Sequence, residues 1–145
     1  MRRLTKVTTP GTGPDPLVLA ELKTLRDRVG DLVGSLVASS DGLLIACDLP
    51  GRVEPAGMAA LTASELALSY RLAATAHGGA LHEVVVRGTG GYVVIYAAGR
   101  AASLTVLASP GVNVGRLHLE SRPVARAIAG HLAAPAPQPR DTDRE

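Results

Sequence analysis

The chain has 145 residues, of which 46% are hydrophobic and 19% are charged. This composition excludes a wholly disordered protein and fits one domain with a single core. The net charge of +2 belongs to the ends of the sequence, because residues 15–134 hold ten basic and ten acidic side chains and the first 14 residues add three basic ones. A neutral body with only three aromatic residues, all tyrosine, argues against nucleic-acid binding.

The cellular setting follows from the cysteine count and from the apolar runs. Cys47 is the only cysteine, so an internal disulfide is impossible and a reducing, cytoplasmic setting is favoured. The N-terminal sequence MRRLTKVTTP has no apolar stretch after its basic residues, which predicts no signal peptide. No apolar run approaches the roughly 18 residues that a membrane span needs. We therefore expect a cytoplasmic protein without a membrane span.

The two ends of the chain differ in composition from the segment between them. Residues 1–14 contain two prolines and two glycines and little apolar content, which predicts a disordered arm. Residues 135–145 are charged and rich in proline, which predicts a disordered tail. One domain is expected over residues 15–134. It begins with an amphipathic helix over about 16–30, since Asp15 is a good N-cap and proline fits the first helical position.

A β-hairpin is predicted next. The runs 32–39 and 43–49 are apolar and of strand length, and Ser40, Asp41 and Gly42 between them are typical of a tight turn. Serine and aspartate could also belong to a nucleophilic site. That alternative needs a neighbouring base and an oxyanion hole, and the chain has no G-x-S-x-G motif. The turn is therefore the favoured interpretation.

The remaining elements complete an α-β-β-α-β-β-β-α order. They are a helix over 55–77 ended by Gly78 and Gly79, strands over 81–87, 92–98 and 102–109, and a final helix that runs from an Asn113 cap to about His131. Proline at position 123 predicts a kink or a break in that final helix. Short links between the strands favour an antiparallel sheet of five strands with helices packed on it, an α+β domain.

The helix over 55–77 has two apolar faces, whereas covering one side of a sheet needs only one. One face consists of Met58, Leu61, Leu68 and Leu72. The other consists of Ala59, Ala63, Leu66, Tyr70, Ala73 and Ala74. The alanines would let another helix approach closely, so we expect this second face to be covered by another subunit or another protein. The alternative is that the final helix of the same chain packs against it.

Motifs for catalysis, metal binding or phosphate binding are weak. The four histidines are scattered, and the HLE sequence at 118–120 lacks the P-C-x-x-C partner of a zinc deaminase site. The glycines of RGTGGY, residues 87–92, lie between two strands without the lysine of a phosphate-binding loop. Cys47 lies in an apolar strand, where a small core side chain is expected. We predict no catalytic, cofactor-binding or metal-binding residue.

The ordered set of elements resembles the Roadblock/LC7 domain family. The hairpin GSLVASSDGLLIACDLP, the alanine- and leucine-rich helix, the strand pair LHEVVVRGTGGYVVIYAAG and the closing SLTVLASPGVNVGRLHLESRPVARAI carry the resemblance. It covers about residues 16–132, and the chain looks like the actinobacterial group encoded beside Ras-like GTPases. The resemblance implies a profilin-like, five-stranded antiparallel sheet with the middle helix on one face and the two terminal helices on the other.

The resemblance also implies a function and an interface. Members of the family dimerise by pairing their third strands edge to edge and packing their middle helices together. They act as scaffolds and regulators of small GTPases and are not themselves nucleotide hydrolases. Here this implies a homodimer that binds a Ras-like small GTPase, with Arg52 and Arg71 as candidates for an arginine supplied to the GTPase. The predicted dimer interface comprises Ala59, Ala63, Leu66, Tyr70, Ala73, His82, Val84, Val85 and Val86.

A small-molecule sensor is the alternative function. An α+β domain with helices over a sheet can enclose a ligand cavity, as related sensory folds do. Such a cavity needs several polar groups that point to one place, and the sequence offers few. An enzyme is not expected, because no base and nucleophile can be paired.

Overall fold

The computed structural model describes Arg2–Arg3 and residues 15–133. The three helices and the five strands after the first confirm the expected α+β order. The elements are β1 (Arg2–Arg3), α1 (Pro16–Arg28), β2 (Leu32–Ser39), β3 (Leu44–Pro50), α2 (Pro55–Ala76), β4 (Glu83–Gly88), β5 (Gly91–Ala98), β6 (Ala102–Ala108) and α3 (Val114–Ala133).

The strands form one antiparallel sheet in the order β1-β3-β2-β6-β5-β4. The outermost pair at one end was not predicted: Arg2 lies opposite Pro50, and Arg3 lies opposite Leu49. The predicted disordered arm is therefore wrong at these two residues. The rest of that arm, and the predicted tail over 135–145, lie outside the described residues.

Local signals explain where α1 and α2 begin. The Asp15 carboxylate accepts a hydrogen bond from the Leu17 amide at 2.9 Å, which caps α1 just before Pro16. The Glu54 carboxylate accepts from the first amides of α2, again just before a proline. Each cap pairs amides that would otherwise have no partner in the first helical turn.

Two helices cover one face of the sheet and one covers the other. The larger core lies between α1, α3 and the sheet, and includes Leu22, Leu117 and Tyr96. The smaller core lies under α2, where Ala59 packs with Leu36 and other side chains of β2 and β3. This two-sided arrangement is the one that the resemblance implied.

The final helix is continuous from Val114 to Ala133, so Pro123 does not break it, and the kink that was the other expected effect stays a prediction. The proline removes the hydrogen bond that would reach the carbonyl of Leu119. The side chain of Leu119 is exposed, so this turn of the helix faces solvent and water can bond to that carbonyl. On the opposite side of α3, Val124, Ala125 and Ile128 are buried against the sheet and hold the helix in place.

Candidate interaction surface

Strand β4 is the open edge of the sheet. It pairs with β5 on one side and has no neighbouring strand on the other in the described part of the chain. The Ala97 amide donates to the His82 carbonyl at 3.0 Å, which fixes the alternation of backbone groups along the edge. Residues 82, 84, 86 and 88 therefore bond to β5, and the amides and carbonyls of Glu83, Val85 and Arg87 point away from the sheet.

The side chains of β4 divide between the two faces of the sheet. Glu83 bonds to Arg122 of α3, so Glu83, Val85 and Arg87 lie on the face that carries α1 and α3. Val84 and Val86 lie on the face that carries α2. Val85 and Val86 are 46% and 45% exposed. An edge with free amides and exposed valines would aggregate if nothing covered it.

The alanine face of α2 packs against the chain's own sheet. Ala59 is fully buried, and Ala63, Leu66 and Ala73 are buried as well. The predicted interface is therefore wrong at these four residues, because a side chain covered by its own sheet has no surface left for a second subunit. Tyr70, the fifth predicted helix residue, is 39% exposed at the margin of this face.

The three leucines of the other face of α2 point to solvent, whereas Met58 of that face is half-buried and packs against the smaller core. Leu61, Leu68 and Leu72 are 69%, 60% and 70% exposed. They are seven and four residues apart, so they form one stripe on the outside of the helix, which we call the leucine stripe. The surplus apolar face that the sequence predicted exists, but it is the leucine face and not the alanine face. Monomeric proteins rarely expose such a patch without an interaction.

A polar cluster ties the beginning of β4 to α3. The Arg122 guanidinium donates through Nε to Glu83 Oε2 at 3.2 Å and through a second nitrogen to Glu83 Oε1. His118 Nδ1 lies 3.9 Å from the same carboxylate and 2.8 Å from the Tyr96 hydroxyl. The hydrogen bond from Arg122 lowers the pKa of Glu83, and burial acts against this more weakly. The cluster holds β4 in place beside the helix.

Tyr96 makes the stability of the fold sensitive to alkali. Burial raises the pKa of Tyr96 to about 12, from about 10 in an unfolded chain. Between these values the unfolded chain releases a proton that the folded chain keeps, so stability is full below pH 10 and falls as the pH rises. We expect a loss of about 2 kcal/mol across this range, and expect Tyr96→Phe to remove that part of the slope. Urea unfolding of both chains between pH 8 and about 11 measures it, and curves of equal slope would contradict the assignment.

A cleft of about 400 Å³ lies beside this cluster. It is lined by His82, Glu83, Tyr96, Ala97, Arg122, Ala125 and Arg126. This cleft could not be predicted from the sequence, because its residues come from one strand pair and one helix that are distant along the chain. His82, which was predicted as an interface residue, is exposed at its rim and precedes β4.

Ser39, Asp41 and Cys47, the possible catalytic groups of the sequence, take part in a turn or in the core. Ser39 and Asp41 bond to each other inside the β2–β3 turn, where the Leu43 amide donates to Ser39 Oγ at 3.0 Å. Gly42 in the same turn has a φ of 90°, a value that glycine adopts without strain. Cys47 is fully buried in the core under α2. Within the described ranges, no three His, Cys, Asp or Glu side chains are placed to hold a metal ion.

Comparison with known protein families and relatives agrees with the fold described above. Residues 19–108 match the Roadblock/LC7 domain. An uncharacterized protein of Methanocaldococcus jannaschii is 31% identical over 111 residues, which cover 77% of this chain and 93% of the relative. None of the helices in the described part of the chain combines the length and the apolar composition that a bilayer crossing requires.

Solved structures share the fold. A Roadblock/LC7 domain from Streptomyces avermitilis superposes with a TM-score of 0.73 at 23% identity, covering 80% of this chain and 98% of that one. MglB from Thermus thermophilus, described as a gliding protein, gives 0.72 at 18% identity over 88% and 96% of the two chains. An MglB with a tetrameric arrangement gives 0.75 at 20% identity over 88% and 95%. The chain belongs to the Roadblock/LC7 domain family.

Proposed function

We propose that this protein is a non-enzymatic homodimer that binds a Ras-like small GTPase and modulates its nucleotide cycle as a regulator or scaffold. The observation that carries the proposal is the open edge of β4 together with the leucine stripe of α2. Both surfaces lack a partner within the described residues, and membership of the Roadblock/LC7 family supports the assignment of that partner.

The open edge of β4 favours a second copy of the chain as one partner. Three residues of β4, at positions 83, 85 and 87, present amides and carbonyls to the outside, and a second β4 can satisfy them. Pairing would also bury Val85 and Val86, which removes the aggregation hazard of the edge.

The leucine stripe also favours a second copy of the chain as the partner. Fully burying a leucine side chain contributes about 2 kcal/mol, and each subunit would bring Leu61, Leu68 and Leu72 to a helix pair. Arg71 is exposed on α2, and Arg52 is exposed in the turn before it. Both candidate arginines are therefore accessible to a docking GTPase.

Replacing Val85 by proline tests the dimer. The Val85 amide points outward, so the proline removes only the donor that serves a second subunit. We expect each subunit to fold, and we expect the dissociation constant of the dimer to rise about tenfold or more. Val84→Pro is the matched control, because it removes an amide that bonds to β5 and should lower the stability of the fold itself. Analytical ultracentrifugation with circular dichroism separates the two. A Val85→Pro chain that dimerises as tightly as the original would show that the wrong edge was chosen.

Capture from a native lysate tests the GTPase. The immobilised chain is exposed to lysate loaded with GDP or with a non-hydrolysable GTP analogue, and bound proteins are identified by mass spectrometry. We expect one small GTPase, enriched in one nucleotide state, and weaker capture by a Leu68→Asp variant. Recovery of the chain alone in both states would contradict the proposed partner. A small molecule that raises the melting temperature would then favour the sensor alternative.

A further inference from the structure

The exposed edge is self-complementary in sequence. Residues 83–87 read Glu-Val-Val-Val-Arg, with an acidic residue at one end, a basic residue at the other and three valines between them. An antiparallel partner runs in the opposite direction, so a second copy of this strand would present its basic end to the acidic end of the first. Such a pattern fits a two-fold symmetric dimer, in which both subunits use the same patch.

Backbone geometry restricts how two copies can pair. Only the amides and carbonyls of Glu83, Val85 and Arg87 point outward, so these residues must face the corresponding residues of the second copy. A two-fold axis perpendicular to the sheet also keeps equivalent faces on one side. Pairings that place the axis at Val84, Val85 or Val86 meet both conditions, and shifting the axis by one position moves the two strands two residues past each other.

Side-chain chemistry separates the three pairings. With the axis at Val85, Glu83 lies opposite Arg87 of the partner subunit, and Val84 lies opposite Val86 of the partner subunit. With the axis at Val84, Glu83 lies opposite a valine. With the axis at Val86, Arg87 lies opposite a valine. Opposite charges across a strand pair stabilise it, whereas a charge facing an apolar side chain does not.

We propose that two copies of the chain join through β4 with Val85 on the two-fold axis, so that two Glu83–Arg87 ion pairs set the register of a continuous sheet. This inference rests on the proposed homodimer and specifies its contact.

Both members of the ion pair lie on the face of the sheet where they would meet. Glu83 and Arg87 lie on the same face of the sheet, with Val85 between them. The Arg87 guanidinium lies 5.8 Å from the centre of the Tyr92 ring, which keeps it on that face. Glu83 is held by Arg122 through two hydrogen bonds, and a carboxylate can accept from a second arginine as well.

A scan with single cysteines measures the register directly. The variants are Val84→Cys, Val85→Cys and Val86→Cys, each oxidised under mild conditions and analysed on a non-reducing gel. Only residues opposite their own equivalents come close enough for a disulfide, so we expect a cross-linked dimer from Val85→Cys alone. The natural thiol, Cys47, is fully buried and serves as the background control in the unmodified chain.

The outcomes of this scan separate the register from the dimer itself. Cross-linking at position 84 or 86 in place of 85 would overturn the register and leave the homodimer intact. No cross-linking at any of the three positions, with a monomeric chain in the ultracentrifuge, would overturn the proposed homodimer.

Exchanging the charges tests whether the ion pairs select the register. Glu83→Arg and Arg87→Glu each place like charges opposite each other, and we expect each variant alone to dimerise about tenfold more weakly or worse. Mixed together, they restore two opposite-charge pairs, so native mass spectrometry should find the mixed dimer well above its statistical share. A statistical mixture would overturn the ion pair. Glu83→Arg also loses the contact between Glu83 and Arg122, and Arg122→Gln is the control for that loss. We expect the Arg122→Gln chain to dimerise as tightly as the original.

Discussion

Replacing Ala59 by arginine is expected to unfold the chain, whereas the same replacement at Ala67 is expected to leave it folded. Ala59 lies on the inner side of α2 and is fully buried in the core that includes Leu36 and Leu49. An arginine there buries a charge without a partner, at a cost of about 4 kcal/mol or more, which is a large part of the roughly 5–15 kcal/mol by which an ordinary domain is stable. Ala67 is exposed on the outer side of the same helix, where the guanidinium stays in water.

Urea unfolding followed by circular dichroism, at one fixed protein concentration, measures this pair of variants. The comparison decides which face of α2 meets the sheet. If the Ala59→Arg chain kept the stability of the original while the Ala67→Arg chain unfolded, the alanine face would be the outer one, as the sequence led us to expect.

Gly91→Ala is expected to have the second largest effect. Gly91 begins β5 with a φ of 141°, and a Cβ placed on it would lie 2.2 Å from the Ala108 carbonyl oxygen. The clash is with backbone, so no side chain can move aside to relieve it. Strain and overpacking together should cost about 3–5 kcal/mol. The same change would disturb the hairpin that presents β4, so dimer formation should weaken together with the fold.

Gly90→Ala is the matched control for this variant. Gly90 is the neighbouring residue of the same turn, and a Cβ placed there meets nothing within 4 Å. We expect its melting temperature to stay within a few degrees of the original, since a surface change of this kind has a small effect. Equal losses in both variants would mean that the turn, and not the approach of Gly91 to β6, limits stability.

The order of the elements was predictable because their signals are local. Asp15 with Pro16 and Glu54 with Pro55 set the beginnings of α1 and α2, and the structure shows both carboxylates bonded to helix amides. The Ser40-Asp41-Gly42 turn and the apolar runs around it predicted the β2–β3 hairpin. These residues act within a few positions of each other, so the sequence contains the whole interaction.

The buried face of α2 could not be predicted in the same way. Periodicity identifies two apolar faces but does not tell which one lies against the sheet. The decisive factor is the space between the helix and the strands: Ala59 and Ala63 let the helix approach closely, whereas leucines in their place would hold it away. The alanine face was expected to meet another subunit because its small side chains let a second helix approach closely, but the structure places that face on the sheet and the leucines outside.

The polar cluster beside β4 was missed because its members are far apart in sequence. Glu83 and Arg122 are separated by 39 positions, and Tyr96 and His118 by 22. No spacing rule connects them, since their contact exists only after α3 packs on the sheet. The continuity of α3 through Pro123 could not be predicted for a related reason: the effect of the proline depends on whether the turn before it faces solvent.

The position of β1 sets the distance between the two ends of the sheet in the proposed dimer. Each sheet carries β1 at one edge and β4 at the other. Joining two sheets through β4 would therefore place the two β1 strands at opposite ends of one sheet, about 50 Å apart at the usual spacing between strands. The two β1 strands would be held at that separation. The dimer would then act as a rigid spacer as well as a binding platform.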